Sequence, residues 1–155
     1  MRTLFKFHGG VHPPTHKEES TRTPIVQTTM PSKLVIPLHQ HVGNRAVPVV
    51  QVGERVLKGQ MIGRPEGRLS SAVHASTSGT VSAIDMQVVA HFSGLPDLCI
   101  TLIPDGKDEW IAHGGVDYKQ TPHSDLRHRL REAGVVGLGG AVFPSDMKSY
   151  SHKHK

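Results

Sequence analysis

The sequence of 155 residues has almost no cysteine, since Cys99 is the only one. A single thiol excludes an intrachain disulfide, which suits a reducing compartment. It also disfavours a structural zinc site, because such sites usually include several cysteine thiolates. Cys99 lies in the apolar run 98–100. We therefore expect it to be a small core residue.

Long apolar runs are absent as well. No stretch approaches the roughly 18–20 apolar residues that a membrane-spanning helix needs. The first ten residues lack the sustained apolar segment of a secretory signal. We therefore expect neither a transmembrane segment nor a signal peptide.

Aromatic residues make up only 5% of the chain, although its net charge is +5. A basic balance favours nucleic acid or an anionic membrane face as a partner. Here the lysines and arginines are scattered, and no aromatic side chains alternate with them as a nucleic-acid surface would require. We expect no nucleic-acid partner.

Several catalytic and ligand motifs are missing too. No Gly-x-Ser-x-Gly elbow or Walker-type phosphate loop occurs, and Gly137-x-Gly139 follows a predicted helix rather than a strand. The chain has 12 histidines, including the spaced pairs 39/41 and 12/16. Without thiolate partners, we interpret them as surface or hydrogen-bonding residues. The sequence predicts no catalytic residue and no metal site.

Glycine and proline are plentiful, at 16 and 11 residues. From residue 33 onward, glycine turns separate short β-branched runs at close intervals. This spacing is typical of a compact antiparallel β unit. The predicted strands lie in residues 34–36, 48–52, 55–57, 60–63, 72–75, 80–84 and 98–103.

The pattern between Val49 and Ile84 resembles the barrel-sandwich hybrid fold of lipoyl and biotinyl carrier domains. Those carriers hold a modified lysine at a hairpin tip, but the matching loop, 64–70, has no lysine. A covalent carrier role is therefore disfavoured, since a fold can occur without its prosthetic group. The resulting fold class is mainly β. We place an irregular arm at 1–31, the lipoyl-like β domain at 32–111, a connector at 112–123, and a helix with a glycine-rich loop at 124–155.

The glycine-rich loop runs from Gly134 to Lys148, after a helix that we expect to be capped by Ser124. Glycines permit positive φ and a close approach of backbone to ligand, and bare N–H groups can surround an oxyanion. Ser145 is expected to cap a second helix, and Lys148 to add positive charge. The plainer alternative is a glycine-rich turn that closes a small domain, and spacing alone favours it.

Three segments together resemble one family. They are residues 9–17, residues 40–43 and the segment 132–145, which ends in Gly-Leu-Gly-Gly-Ala-Val-Phe-Pro-Ser. In this order they are similar to the N-terminal region of the RnfC/RsxC family, which forms part of the Rnf/Rsx ion-translocating electron transport complex. The resemblance extends over nearly the whole chain to about Lys148.

The resemblance implies a peripheral subunit on the cytoplasmic side of a bacterial inner membrane. It would handle NADH in a complex that couples electron transfer between ferredoxin and NAD to ion translocation, with the other subunits as partners. The family carries two 4Fe–4S clusters, NADH and, in some accounts, FMN. It also has an α/β domain similar to the flavoprotein of respiratory complex I. Its nucleotide loop corresponds here to Gly137, Gly139, Gly140, Ala141, Phe143, Ser145 and Lys148.

Two departures from the family pattern limit these expectations. Val142 replaces a loop glycine, and a β-branched residue disfavours positive φ. Each 4Fe–4S cluster needs about four thiolates, so a chain with Cys99 alone can hold neither. The sequence is thus expected to be a fragment or a truncated product that is inactive alone. The alternative is a non-catalytic β module that docks on partner subunits.

Overall fold

The computed structural model describes residue 11 and residues 13–150. Predictions for residues 1–10, 12 and 151–155, including part of the first family segment, lie outside the described residues. In the described part of the chain, a short helix is followed by a series of strands and then by two further helices. The elements are α1 (Lys17–Thr21), β1 (Leu34–Pro37), β2 (Val47–Pro48), β3 (Arg55–Val56), β4 (Met61–Arg64), β5 (Val73–His74), β6 (Gly79–Val88), β7 (Pro96–Pro104), α2 (His123–Glu132) and α3 (Ser145–Lys148).

The strands form two antiparallel sheets. One has the order β1-β7-β6-β3 and the other the order β2-β4-β5. Pairing of β6 with β7 runs from Gly79 opposite Pro104 to Val88 opposite Pro96, with a register shift between Val81 and Ala83. The predictions of a mainly β chain and of an antiparallel β unit are confirmed.

A single apolar cluster fills the space between the two sheets. Leu38, Ile62, Val81, Ile100 and Leu102 are at most 1% exposed. They come from both sheets and from the loop after β1, so neither sheet covers its apolar face without the other. Close packing of this kind makes the cluster sensitive to any change in side-chain volume.

Gly79 lies where the first residue of β6 meets the last residues of β7. A Cβ at this position would lie 2.2 Å from the carbonyl oxygen of Ile103. The backbones approach too closely for any side chain there. The Ser78-Gly79 turn signal therefore marks a tight strand crossing.

Strand lengths differ from the predictions. The run 48–52 gives only the two residues of β2, because the chain turns at Gly53 with φ +90°. In contrast, β6 extends to Val88, beyond the predicted end at residue 84. Side chains in this extension are mostly exposed, including Met86 and Val88. They lack the alternation of buried and exposed residues that identifies a strand.

Both predicted serine caps are wrong. Pro122 and Pro144 occupy the N-cap positions of α2 and α3, and neither helix has a side-chain cap hydrogen bond. Each proline holds φ at −55° with an extended ψ, which sets the helix start one residue before the expected place. Ser145 is instead the first residue of α3. None of the helices in the described part of the chain has the length and hydropathy needed to span a membrane.

Candidate functional site

The C-terminal end of α2 joins the β unit to the glycine-rich loop. Gly134 has φ +69°, and its N–H donates to the carbonyl of Arg131. The N–H of Val135 donates to the carbonyl of Leu130 at 3.1 Å. This is the Schellman arrangement, in which a glycine ends the helix. The prediction that Gly134 terminates the helix is confirmed.

The carbonyls at this helix end are satisfied partly by the β unit. The N–H of Ala72 donates to the carbonyl of Arg131 at 3.1 Å. The Arg131 guanidinium donates to the carbonyl of Gly67. The ring of His74 also packs here, and burial lowers its pKa below the usual 6.5, although the backbone of Glu132 opposes the shift. Polar contacts therefore fix α2 against β5 and the loop before it.

The loop after Gly134 closes on itself. The N–H of Gly137 donates to the carbonyl of Phe143 at 2.9 Å, and the N–H of Ser145 donates to the carbonyl of Val135 at 3.0 Å. Between these two contacts, Val136 and Pro144 form an isolated antiparallel bridge. Residues 138–142 thus project as a short, tied turn.

This turn is held by the β unit through the His41 segment. The N–H of Val42 donates to the carbonyl of Ala141 at 3.1 Å. His41 is buried, and its Nε2 accepts a hydrogen bond from the N–H of Ser71 at 2.9 Å. Its Nδ1 lies 3.1 Å from the carbonyl of Val42, so the ring carries its proton there. Residues 40–43, one of the family-like segments, therefore support the glycine-rich turn.

The backbone conformations of the turn reverse one expectation. Of the four glycines from Gly134 to Gly140, only Gly134 has positive φ, whereas Val142 has φ +45°. The expected use of positive φ at the other three glycines is therefore wrong. The turn is closed by the N–H of Val142 donating to the carbonyl of Gly139 at 2.9 Å. Closure forces a β-branched residue into a region that L residues rarely adopt.

Gly139 and Gly140 lack a structural reason to be glycine. Neither has positive φ, and a Cβ built on either would meet nothing within 4 Å. Within the described part of the chain, the N–H groups of Gly139, Gly140 and Ala141 have no hydrogen-bond acceptor. The turn thus presents successive unpaired donors on a bare backbone, which is the geometry that binds anionic oxygens.

The remaining predicted residues fall into two groups. Lys148 approaches the near side of the loop, because a Cβ on Gly137 would lie 2.7 Å from its Nζ. That Nζ also lies 6.0 Å from the ring centroid of Phe143. Gly137, Phe143 and Lys148 therefore come together, while Gly139, Gly140 and Ala141 lie on the outer turn. Ser145 is half-buried behind them and its hydroxyl makes no cap.

Two features of the site have no clear signal in the sequence. Asp146 is 5% exposed, and its Oδ1 has no hydrogen-bond partner among the residues described. A cleft of about 830 Å³ also lies between residues 37–43, residues 89–97 and Gly140–Val142. It contains His39, which the sequence singles out only as half of a spaced pair. Within residues 13–150, no three His, Cys, Asp or Glu side chains are grouped to hold a metal ion.

Comparison with known families identifies the β unit. Residues 5–107 match the family described as the RnfC barrel sandwich hybrid domain. This match covers more than half of the chain, so the chain belongs to the RnfC family. The predicted barrel-sandwich hybrid and the resemblance drawn from three short segments are both confirmed.

Individual relatives extend the match to the glycine-rich region. The chain is 49% identical over 146 residues to the RnfC subunit of the ion-translocating oxidoreductase complex of Edwardsiella ictaluri, covering 94% of the chain and 18% of the relative. It is 45% identical to the subunit of the same name from Serratia proteamaculans, covering 94% and 21%. For Vibrio cholerae the identity is 43%, covering 96% and 19%. The chain thus spans about a fifth of the length of these relatives.

The donor set of this chain does not fit an iron–sulfur cluster. Cys99 is its only cysteine and is fully buried, with its thiol donating to the carbonyl of Asp97 at 3.3 Å. Burial, followed by the charge of Asp97, raises the pKa of this thiol and disfavours the thiolate that a cluster requires. Its role is structural, as predicted.

Proposed function

We propose that the chain is the N-terminal part of the peripheral, NADH-handling iron–sulfur subunit, RnfC, of a membrane-bound complex. This complex would couple electron transfer between ferredoxin and NAD to ion translocation, on the cytoplasmic side of a bacterial inner membrane. Membership of the RnfC family and the name of the curated relatives support this proposal. The two 4Fe–4S clusters would belong to other parts of the subunit.

Within that function, the glycine-rich loop is proposed as the first wall of a nucleotide pocket that opens an α/β domain. Gly139 and Gly140 carry this proposal, because their missing side chains serve no purpose in the fold itself. Their unpaired N–H groups would hold a phosphate, and Lys148 would add a positive charge. When bound, the nicotinamide supplies the hydride and a flavin such as FMN accepts it. Gly137, Ala141, Phe143 and Ser145 would shape the same wall.

The test is a chimera in which residues 1–150 of this chain replace the matching part of the Edwardsiella ictaluri RnfC subunit. We expect the chimera to bind NADH and to pass its electrons to an artificial acceptor. Gly140→Val should weaken NADH binding at least tenfold, since a β-branched side chain would occupy the open approach. A chimera that folds but binds NADH equally well with and without this change would refute the role of the loop.

A second candidate function is a docking module for other subunits of the complex. It is favoured by the arm, because every described residue up to Lys33 is exposed, including Ile25 and Val26. Apolar side chains held away from a fold are common in segments that bind a partner. Capture of the other subunits by the whole chain, and its loss without residues 1–31, would support docking. Absence of capture in both cases would exclude it.

A further inference from the structure

The cleft beside the glycine-rich turn has the dimensions of a ligand site. Its volume of about 830 Å³ falls within the roughly 300–1,000 Å³ that small-molecule sites occupy. Gly140, Ala141 and Val142 form one wall, and the β unit forms the other two through residues 37–43 and the loop that joins β6 to β7. The β unit therefore faces the proposed nucleotide loop across an open space.

The lining of this cleft combines apolar surface with hydrogen-bond donors. Val42, Val89 and Leu95 supply apolar surface. His91 supplies a donor, because its Nδ1 accepts a hydrogen bond from the N–H of Ser93 at 3.2 Å and therefore leaves the proton on Nε2. Within the described residues, His91 Nε2 has no other partner. This donor faces the same space as the unpaired N–H groups of the glycine-rich turn.

Asp97 is the only carboxylate that lines the cleft, and its charge is already neutralised. Its Oδ1 lies 3.2 Å from the guanidinium of Arg45, and its Oδ2 lies 3.5 Å from Nδ1 of His39. The N–H of Leu98 donates to Oδ1 at 2.7 Å. The groups that remain available are donors, so the cleft favours a ligand with anionic oxygens.

Phe92 adds a surface on which a ring can stack. It is 97% exposed, next to the cleft residue His91, and its ring centroid lies 4.1 Å from the imidazole. Such a ring loses little by binding a planar partner, and stacking on aromatic side chains holds nucleotide bases in other proteins. An exposed aromatic beside free donors suits a ligand that has both a ring and phosphates.

We propose that this cleft is the β unit's share of the nucleotide site and binds a phosphate-bearing heteroaromatic ligand between His91 and the turn at Gly140. The proposal rests on the function proposed above and adds a second wall to it. His91 would donate to a phosphate oxygen, and Phe92 would stack on the heteroaromatic ring. The barrel-sandwich domain would then be a binding element as well as a support.

The test is an NMR titration of the ¹⁵N-labelled 155-residue chain with NADH and, separately, with inorganic phosphate. With one wall incomplete, we expect weak affinity, of the order of millimolar. NADH should shift the amides of residues 139–141 and residues 89–95 together, whereas phosphate should spare Phe92 and Leu95. His91→Ala should weaken NADH binding about threefold to tenfold, since one charge-assisted hydrogen bond is lost. His128→Ala is the matched control, because that exposed histidine lies on α2.

The outcomes separate this proposal from the one on which it rests. Shifts confined to residues 139–141, with equal affinity for His91→Ala, would overturn the second wall and leave the nucleotide loop intact. Shifts at neither segment up to about 10 mM NADH would also overturn it, while the chimera would still decide the role of the loop. NADH binding no more tightly than phosphate would refute the heteroaromatic ring.

Discussion

The β unit and the segment after residue 112 are stabilised in different ways. Eleven hydrophobic residues form the buried cluster between the two sheets, and all of them belong to the β unit. In contrast, α2 has no buried residue. It is held by backbone hydrogen bonds such as Ala72 to Arg131, and the glycine-rich turn by Val42 to Ala141. The β unit thus carries its own apolar core, whereas the second segment depends on polar contacts with it.

The strongest test of this difference is a cavity in the core. Leu102→Ala should cost about 3 kcal/mol, because the side chain is fully buried and packs between the sheets. The matched change Leu126→Ala on half-buried α2 should cost about 1 kcal/mol. Chemical denaturation monitored by Trp110 fluorescence measures both. Equal losses would contradict the contrast between the two regions.

A smaller effect is expected at the strained residue of the second segment. Val142→Gly should stabilise the chain by about 1 kcal/mol, since glycine adopts φ +45° without the penalty of a β-branched side chain. Val135→Gly is the control, because its φ is not positive. It should destabilise the chain by a similar amount. Thermal unfolding of the two variants separates these signs, and destabilisation by Val142→Gly would disprove the strain.

The pH dependence should also differ between the regions. His74, at the joint with α2, has a pKa lowered by burial, so the unfolded chain binds its proton more readily than the folded one. Stability from this group is complete above pH 6.5 and falls as the pH drops below that value towards the lower folded pKa. His74→Gln should remove the dependence, whereas His128→Gln should keep it. Hydrogen exchange of α2 amides at about pH 7.5 and 5.5 provides the measurement.

Acid titration of the β unit should begin much lower. The Ser78 hydroxyl, followed by the N–H of Lys107, holds the pKa of Asp105 at about 2, below its ordinary 3.8. Its contribution is present above pH 3.8 and is lost as the pH falls towards 2. Loss of α2 protection at a higher pH than loss of β protection is the expected order. The reverse order would contradict the assignment of His74 to the joint.

The smallest effect on stability is expected on the outer turn. Gly139→Ala and Gly140→Ala should change the free energy of unfolding by less than about 0.5 kcal/mol, since a Cβ meets nothing at either position. Gly79→Ala is the contrasting control, because its Cβ would collide with the backbone at Ile103. A large loss at Gly139 or Gly140 would show that the fold itself needs these glycines.

Sequence patterns predict the β unit well because its signals are local. Glycine turns and β-branched runs are set by residues close in sequence, and they identify the strands from Leu34 to Ile103. The extension of β6 beyond Ile84 escapes prediction because neither of its faces is buried. Cys99 is predictable from its apolar neighbours alone.

The candidate site is less predictable because long-range contacts decide its conformation. The positive φ of Val142 follows from closure of the turn and from the hydrogen bond between Val42 and Ala141, which join distant parts of the chain. The start of α3 is fixed by the rigid φ of Pro144, whereas the sequence favours the hydroxyl of Ser145 as a cap. The cleft at His91 arises only when the hairpin and the turn face each other.

The buried position of Cys99 makes the chain its own reporter of opening. The thiol is inaccessible in β7, opposite Pro37 and Asp85, and burial raises its pKa. A thiol-specific reagent can therefore modify it only after the sheet around it has separated. With no second cysteine to confuse the signal, the labelling rate gives the opening frequency of the β unit directly, in whole cells as well as in solution.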